Sequence, residues 1–179
     1  MSVANKITLA RGALIPPILI LLAIDQRWVA VALFIVACAG DIVDGMVARA
    51  RDEVSEEGEI LDPLIDKALY LSLFIAFTVR GEITLTPLIL FLIPQAGLLI
   101  GGTVLHFRSH IVQGARVPGK IAAVLVFASM VLLMLHSSYR LTLLYVAIGV
   151  SYLAALDYLW VAVRARLSRG MDSRETRVE

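Results

Sequence analysis

A single cysteine, Cys38, rules out a disulfide within the chain. Its place in an apolar run suits a small buried hydrophobe. Charged residues are scarce at 17%, against about 25% in a typical soluble domain, and that class is excluded. Aromatic residues make up only 7% and show no spacing that suggests a cofactor. Charge of one sign is also lacking: 16 Lys and Arg face 15 Asp and Glu, for a net +1. With no basic-aromatic patch either, nucleic acid is not an expected partner. What fills the chain is apolar: 59% of its 179 residues are hydrophobic, and the mean hydropathy is +0.85.

These residues fall into runs of approximately 7–24, 28–50, 59–80, 86–107, 119–136 and 141–163. Each is near the ~20 residues that a bilayer requires. The expected fold is therefore an all-α integral membrane protein with six transmembrane helices in one domain, 1–163, followed by a basic cytoplasmic tail, 164–179. Lys6 and Arg11 precede or open the first run, but no small-residue cleavage site closes it. It is expected to stay as a membrane helix and not to be removed as a signal peptide. Pro16-Pro17 and Pro94 predict kinks in the first and fourth helices. Gly97-x-x-x-Gly101 offers a close-packing face, expected within the chain more than at a dimer seam.

Orientation follows from the basic residues. With six spans, one side holds Lys6, Arg11, Arg49, Arg51, Arg108, Arg116, Lys120, Arg164, Arg166, Arg169, Arg174 and Arg177. The other side holds Arg27, Arg80 and Arg140. This asymmetry predicts cytoplasmic termini and a cytoplasmic 51–58 loop, in the inner or plasma membrane. The Arg-rich tail fits anionic lipid headgroups.

Four carboxylates interrupt this apolar pattern: Asp41, Asp44, Asp62 and Asp66. Each Asp at a helix centre costs roughly 2.5–3.5 kcal/mol on translocon-type scales. Asp41 and Asp44 are i, i+3, and Asp62 and Asp66 are i, i+4, so each pair shares a helical face. Between them Ala50–Glu57 has the composition of a solvated turn. Antiparallel helices joined there bring both pairs together near the cytoplasmic loop, between the second and third helices. Carboxylates in an apolar wall can share a divalent cation, which cancels their charge. By adjacency in sequence, Arg49 and Lys67 are the only close bases. Gly45 and Ala48 leave a bare backbone surface for a flat ligand, and the fork of Arg49 suits a phosphate.

Asp41-x-x-Asp44-Gly45-x-x-Ala48-Arg49, eight residues, then Gly58-x-x-x-Asp62-x-x-x-Asp66 resembles the signature of the CDP-alcohol phosphatidyltransferases at all eight fixed positions. Asn5, Thr8, Arg11 and Pro16 resemble the N-terminal pattern of bacterial members. Leu61-Asp62-Pro63-Leu64-Ile65-Asp66-Lys67 is similar to a stretch of phosphatidylglycerophosphate synthases and eukaryote-type cardiolipin synthases. Gly119-Lys120 and Ser151–Tyr158 fit weaker patterns. The resemblance implies Mg²⁺ or Mn²⁺, two ions per site, held by Asp41, Asp44, Asp62 and Asp66. It also implies CDP-diacylglycerol as donor, a small polar acceptor alcohol, and CMP as product. Asp66 becomes the general base, while Gly45, Ala48, Arg49, Ser55, Gly58 and Asn5 contact the CDP-lipid. A homodimer is compatible with it.

The LDPLIDK stretch tilts the acceptor toward glycerol 3-phosphate, whose phosphate needs cations; Lys67, Arg108, Arg116, Lys120 and Arg164 are available. For each, a snorkelling role at the interface is the simpler account. The sequence departs from many phosphatidylglycerophosphate synthases at Ile93-Pro94-Gln95-Ala96, where they carry an Arg-Asp pair, which keeps inositol phosphate, serine and phosphatidylglycerol open as acceptors. His106 and His110 read as interfacial histidines, and Asp157 as the partner of a base or a helix backbone. The rival of another class is a cation transporter, for which a site near the midplane with broken helices is expected.

Overall fold

Each of the six apolar runs forms a helix. The computed structural model describes the backbone of residues 3–51, 56–109 and 117–175, and side chains within 7–40, 64–97 and 117–160. The helices are α1 (Val3–Ala23), α2 (Arg27–Arg51), α3 (Glu56–Val79), α4 (Leu85–Ser109), α5 (Val117–Met134) and α6 (Arg140–Glu175). α1 continues through Pro16 and Pro17, and α4 through Pro94, without a break in the assigned helix. The last helix runs on to Glu175, well past the expected end of the apolar run. Among the described residues, Val117–Met134 and Arg140–Trp160 are long and apolar enough to cross a membrane. Ile7–Ala23, Arg27–Gly40 and Leu85–Gly97 are shorter apolar stretches.

The chain divides into two compact units, Met1–Thr84 with Met130–Arg140, and Leu85–Ser129 with Leu141–Glu179. In the first unit α1 packs against both α2 and α3. Its core is built from Ile18 and Leu22 of α1, Phe34 of α2, and Leu73, Phe74 and Phe77 of α3, all essentially inaccessible. Phe34 meets Tyr70 edge to face, with ring centroids 6.0 Å apart.

One end of this unit is organised by three like helix terminations. Asp25 (φ 64°), Gly81 (φ 72°) and His136 (φ 53°) are left-handed residues just past α1, α3 and α5. Behind them the amides of Gln26, Glu82 and Ser137 donate back to the carbonyls of Leu21, Phe77 and Leu132. The amides of Asp25, Gly81 and His136 donate to Leu22, Thr78 and Leu133. This paired pattern is the Schellman motif, which satisfies carbonyls a helix end otherwise leaves open.

Two arginines then tie the three ends together. Arg80 Nη1 donates to the Leu22 carbonyl at 2.8 Å, and Arg27 Nη1 to the Met134 carbonyl at 3.2 Å. Both reach Glu82 Oε1, at 2.8 Å from Arg80 Nε and 2.9 Å from Arg27 Nη2. Arg27 Nε also donates to Asp25 Oδ1 at 2.8 Å, and Arg27 Nη1 lies 2.6 Å from His136 Nδ1. Burial pushes the Glu82 carboxyl up, but hydrogen bonds from Arg27 and Arg80 outweigh it and hold it below the ordinary value. The same hydrogen bond, donated by Arg27 to Glu82, raises Arg27 against its own desolvation.

In the second unit, Leu144, Ala147, Ile148, Ser151 and Ala154 form a buried stripe on α6 at helical spacing. The opposite face is not polar: Tyr145, Val146, Leu153, Leu156, Leu159 and Trp160 are exposed. A surface helix of a soluble protein presents charges there, whereas an apolar outer face suits lipid. Ser129 and Ser151 are buried and bond back to the carbonyls of Val126 and Ala147, at 2.7 and 2.8 Å, so neither hydroxyl is left open in its apolar setting. The close-packing expectation fails at Gly97. A Cβ there meets nothing within 4 Å, so among the described residues no neighbour uses its bare backbone.

Candidate functional site

Asp41, Asp44, Asp62 and Asp66 all lie on helical backbone, the first pair in α2 and the second in α3. At 3.6 residues per turn, each pair is one turn apart on one face of its helix. Asp66 is the member whose side chain is described. It is a half-buried carboxylate on α3, and Arg11 of α1 reaches it: Nη2 stands 3.4 Å from Oδ1. The two side chains differ sharply in access, 5% for Arg11 and 42% for Asp66. A buried cation thus backs a carboxylate that remains reachable from the other side.

This contact corrects the expectation that Arg49 and Lys67 are the only close bases. A third base comes from α1, far away in sequence. Arg11 is 4% exposed overall, and Thr8, one turn earlier on the same face, is 1% exposed. Both belong to the N-terminal pattern, so the sequence marked them without showing what they touch. Arg11 is buried where the tally of bases expects an interfacial residue, and the signal for this in the sequence is a guanidinium within an apolar helical run.

The bare backbone of two glycines makes room for this arrangement. A Cβ on Gly40 would stand 2.8 Å from Arg11 Cδ and 2.9 Å from Cγ, closer than real Cβ atoms come. On α1, a Cβ on Gly12 would stand 3.1 Å from Ile65 Cδ1, so α1 approaches α3 closely beside Asp66.

Lys67 is half-buried on α3 next to Asp66, and Lys120 is exposed at the start of α5. The side chains of Asn5, Asp41, Asp44, Gly45, Ala48, Arg49, Gly58, Asp62, His106, Arg108 and Arg164 lie outside the described residues, as do Ser55, His110 and Arg116 altogether. Among the described residues no group of three or more His, Cys, Asp or Glu side chains converges as a metal site. The four aspartates of the motif are of one chemical kind, carboxylates at helical spacing, and such oxygens suit hard cations such as Mg²⁺ and Mn²⁺.

Comparison with known proteins agrees with the motif. The sequence profile of the CDP-alcohol phosphatidyltransferase family matches residues 1–154. A CDP-diacylglycerol–glycerol-3-phosphate 3-phosphatidyltransferase of Aquifex aeolicus is 27% identical over 164 residues, covering 90% of this chain and 92% of the relative. A probable phosphatidylglycerophosphate synthase of Mycobacterium tuberculosis is 29% identical over 158 residues, covering 74% and 76%. A cardiolipin synthase (CMP-forming) / mitochondrial hydrolase fusion protein of Schizosaccharomyces pombe is 38% identical over 101 residues, covering 56% of this chain and 16% of the relative.

Proposed function

Because the chain belongs to the CDP-alcohol phosphatidyltransferase family, we propose that it transfers a phosphatidyl group from CDP-diacylglycerol to glycerol 3-phosphate in phospholipid synthesis. The observation that carries the acceptor is the likeness to the Aquifex enzyme across nearly the whole of both chains. The acceptor hydroxyl oxygen bonds to the phosphorus that bears the diacylglycerol, the bond from that phosphorus to CMP breaks, and CMP leaves. Asp66 takes the hydroxyl proton, and its partial exposure leaves room for the acceptor. Asp41, Asp44, Asp62 and Asp66 would hold two divalent ions. When bound, these neutralise negative charge on the diphosphate and on the departing CMP. Asn5, Gly45, Ala48, Arg49, Ser55 and Gly58 bind the CDP-lipid. Lys67, Arg108, Arg116, Lys120 and Arg164 are the cations proposed to receive the acceptor phosphate.

The enzyme sits in the inner or plasma membrane as a six-span protein with its site and both termini on the cytoplasmic side. The apolar outer face of α6 and the asymmetry of Lys and Arg support this reading. Phosphatidylglycerol as acceptor is the second reading, favoured by the likeness to the cardiolipin synthase fusion protein over 101 residues; the Ile93-Pro94-Gln95-Ala96 departure leaves inositol phosphate and serine open beside it. CMP release from CDP-diacylglycerol by the purified protein, with acceptors supplied singly, tests both. Release with glycerol 3-phosphate is expected. Release with phosphatidylglycerol, inositol phosphate or serine alone would replace the acceptor, and release with none would remove the activity.

A further inference from the structure

The guanidinium of Arg11 reaches Asp66 by a route built from three helices. It starts on α1, its stem passes over Gly40 of α2 where a Cβ would collide with Cγ and Cδ, and its head arrives at Asp66 of α3. Gly40 is the residue before Asp41, so the crossing lies directly beside the first aspartate. Near Asp66, Gly12 lets α1 lie close to Ile65. A surface base that merely snorkels needs none of this: its head seeks water, whereas the Arg11 side chain is 5% exposed.

We propose that Arg11 is a positioning residue for Asp66. Its guanidinium fixes the carboxylate at Oδ1 and keeps a resident positive charge beside it. The proposal rests on the reading of Asp66 as the base that takes the acceptor proton. Two consequences of opposite sign follow. Without Arg11, Asp66 loses its fixed orientation, and turnover falls. Yet a positive charge next to a carboxylate that shares a divalent ion also repels that ion. Its removal should strengthen metal binding or leave it unchanged. A residue that only holds the fold together has no such split, because loosened helices weaken metal binding and turnover in parallel.

The test uses the full chain in nanodiscs, with Mn²⁺ binding read by electron paramagnetic resonance without substrate, and CMP release measured separately. Arg11→Met should lower kcat about 10- to 100-fold, with the KM for CDP-diacylglycerol within about threefold. Its Mn²⁺ affinity should stay at the wild-type value or rise up to about tenfold. Arg11→Lys, which keeps the charge without the fork, should restore wild-type Mn²⁺ affinity and recover part of kcat. Gly40→Ala retains every charged group while displacing the Arg11 stem, and should lower kcat in the same direction. A kcat for Arg11→Met within twofold of wild type, or Mn²⁺ affinity weakened together with kcat, would overturn the proposal. Asp66→Asn separates the two readings. If it turns over normally, the base assignment fails; if it is inactive while Arg11→Met is normal, the role of Arg11 fails and the base stands.

Discussion

Asp66 joins two demands that the sequence states and the structure relates. Its place in the spaced aspartate motif puts it on the face proposed to hold the metal ions, and it is 42% exposed beside a buried Arg11, as a base for the proposed acceptor requires. The aspartates were legible because spacing in a helix is a local property: 3.6 residues per turn converts sequence intervals directly into shared faces. The contact with Arg11 was not, since it depends on where α1 crosses its neighbours and how it is rotated. Asp66→Asn keeps an oxygen ligand but cannot accept the proton. It should lower kcat by about 10²-fold or more while the affinity for CDP-diacylglycerol changes less. Near-native turnover in a CMP-release assay would assign the proton to another group. Chelation tests the carboxylates together: EDTA should abolish CMP release, and added Mg²⁺ or Mn²⁺ should restore it. Full activity after exhaustive chelation would rule out a metal-dependent site.

At the scale of the helices, the apolar runs match the first five helices to within a few residues at each end, because hydropathy over ~20 residues is a strong signal, while α6 continues past its apolar run into the charged tail. The helix ends were less legible. Two of the three left-handed caps use Asp25 and His136 where glycine is usual, so composition gave no mark of a Schellman ending. The expected clustering of bases likewise treated Arg27 and Arg80 as a mere minority on one side, although they clamp the ends of α5 and α1 through Glu82. Glu82 is the shared partner, and its side chain is 7% exposed. Glu82→Gln should destabilise the protein by about 1–3 kcal/mol, because it leaves two arginines without their common counter-charge. The sign of the pH dependence follows from the depressed Glu82 value. Its contribution is fully present above the unfolded glutamate value of about 4.3 and is lost as pH falls through the lower folded value. Thermal unfolding in detergent should therefore show the gap between wild type and Glu82→Gln closing at acid pH. A gap that is absent at neutral pH, or that widens on acidification, would show that the clasp contributes no stability.

For the whole molecule, the decisive property is the apolar surface that the described residues leave exposed. Ile20, Ile35, Ile75, Ile89, Val124, Val146, Leu156 and Trp160 are all well exposed, and they come from each of the six helices. Water does not favour so much exposed apolar surface, and a bilayer accommodates it. Which way the helices face is a separate question, set by the bases at their ends. Arg27, Arg80 and Arg140 stand at the start of α2, just past α3 and at the start of α6, while most of the remaining bases fall at the opposite ends or in the C-terminal segment of α6. The positive-inside bias is the ground for the proposed topology, in which the aspartate ends of α2 and α3 and the C-terminal end of α6 face the cytoplasm. Cys38 is the only native thiol, so a Cys38→Ser background gives a silent chain for labelling. Ser173→Cys in that background should react with a membrane-impermeant maleimide only after the cells are permeabilised. A thiol placed at Ser138, in the turn between α5 and α6, should react from outside intact cells. The reverse pattern would invert the chain in the membrane and carry the aspartate site away from cytosolic nucleotide. Reaction of both positions from one side would require an even number of spans between them, none or two, in place of the single crossing expected of α6.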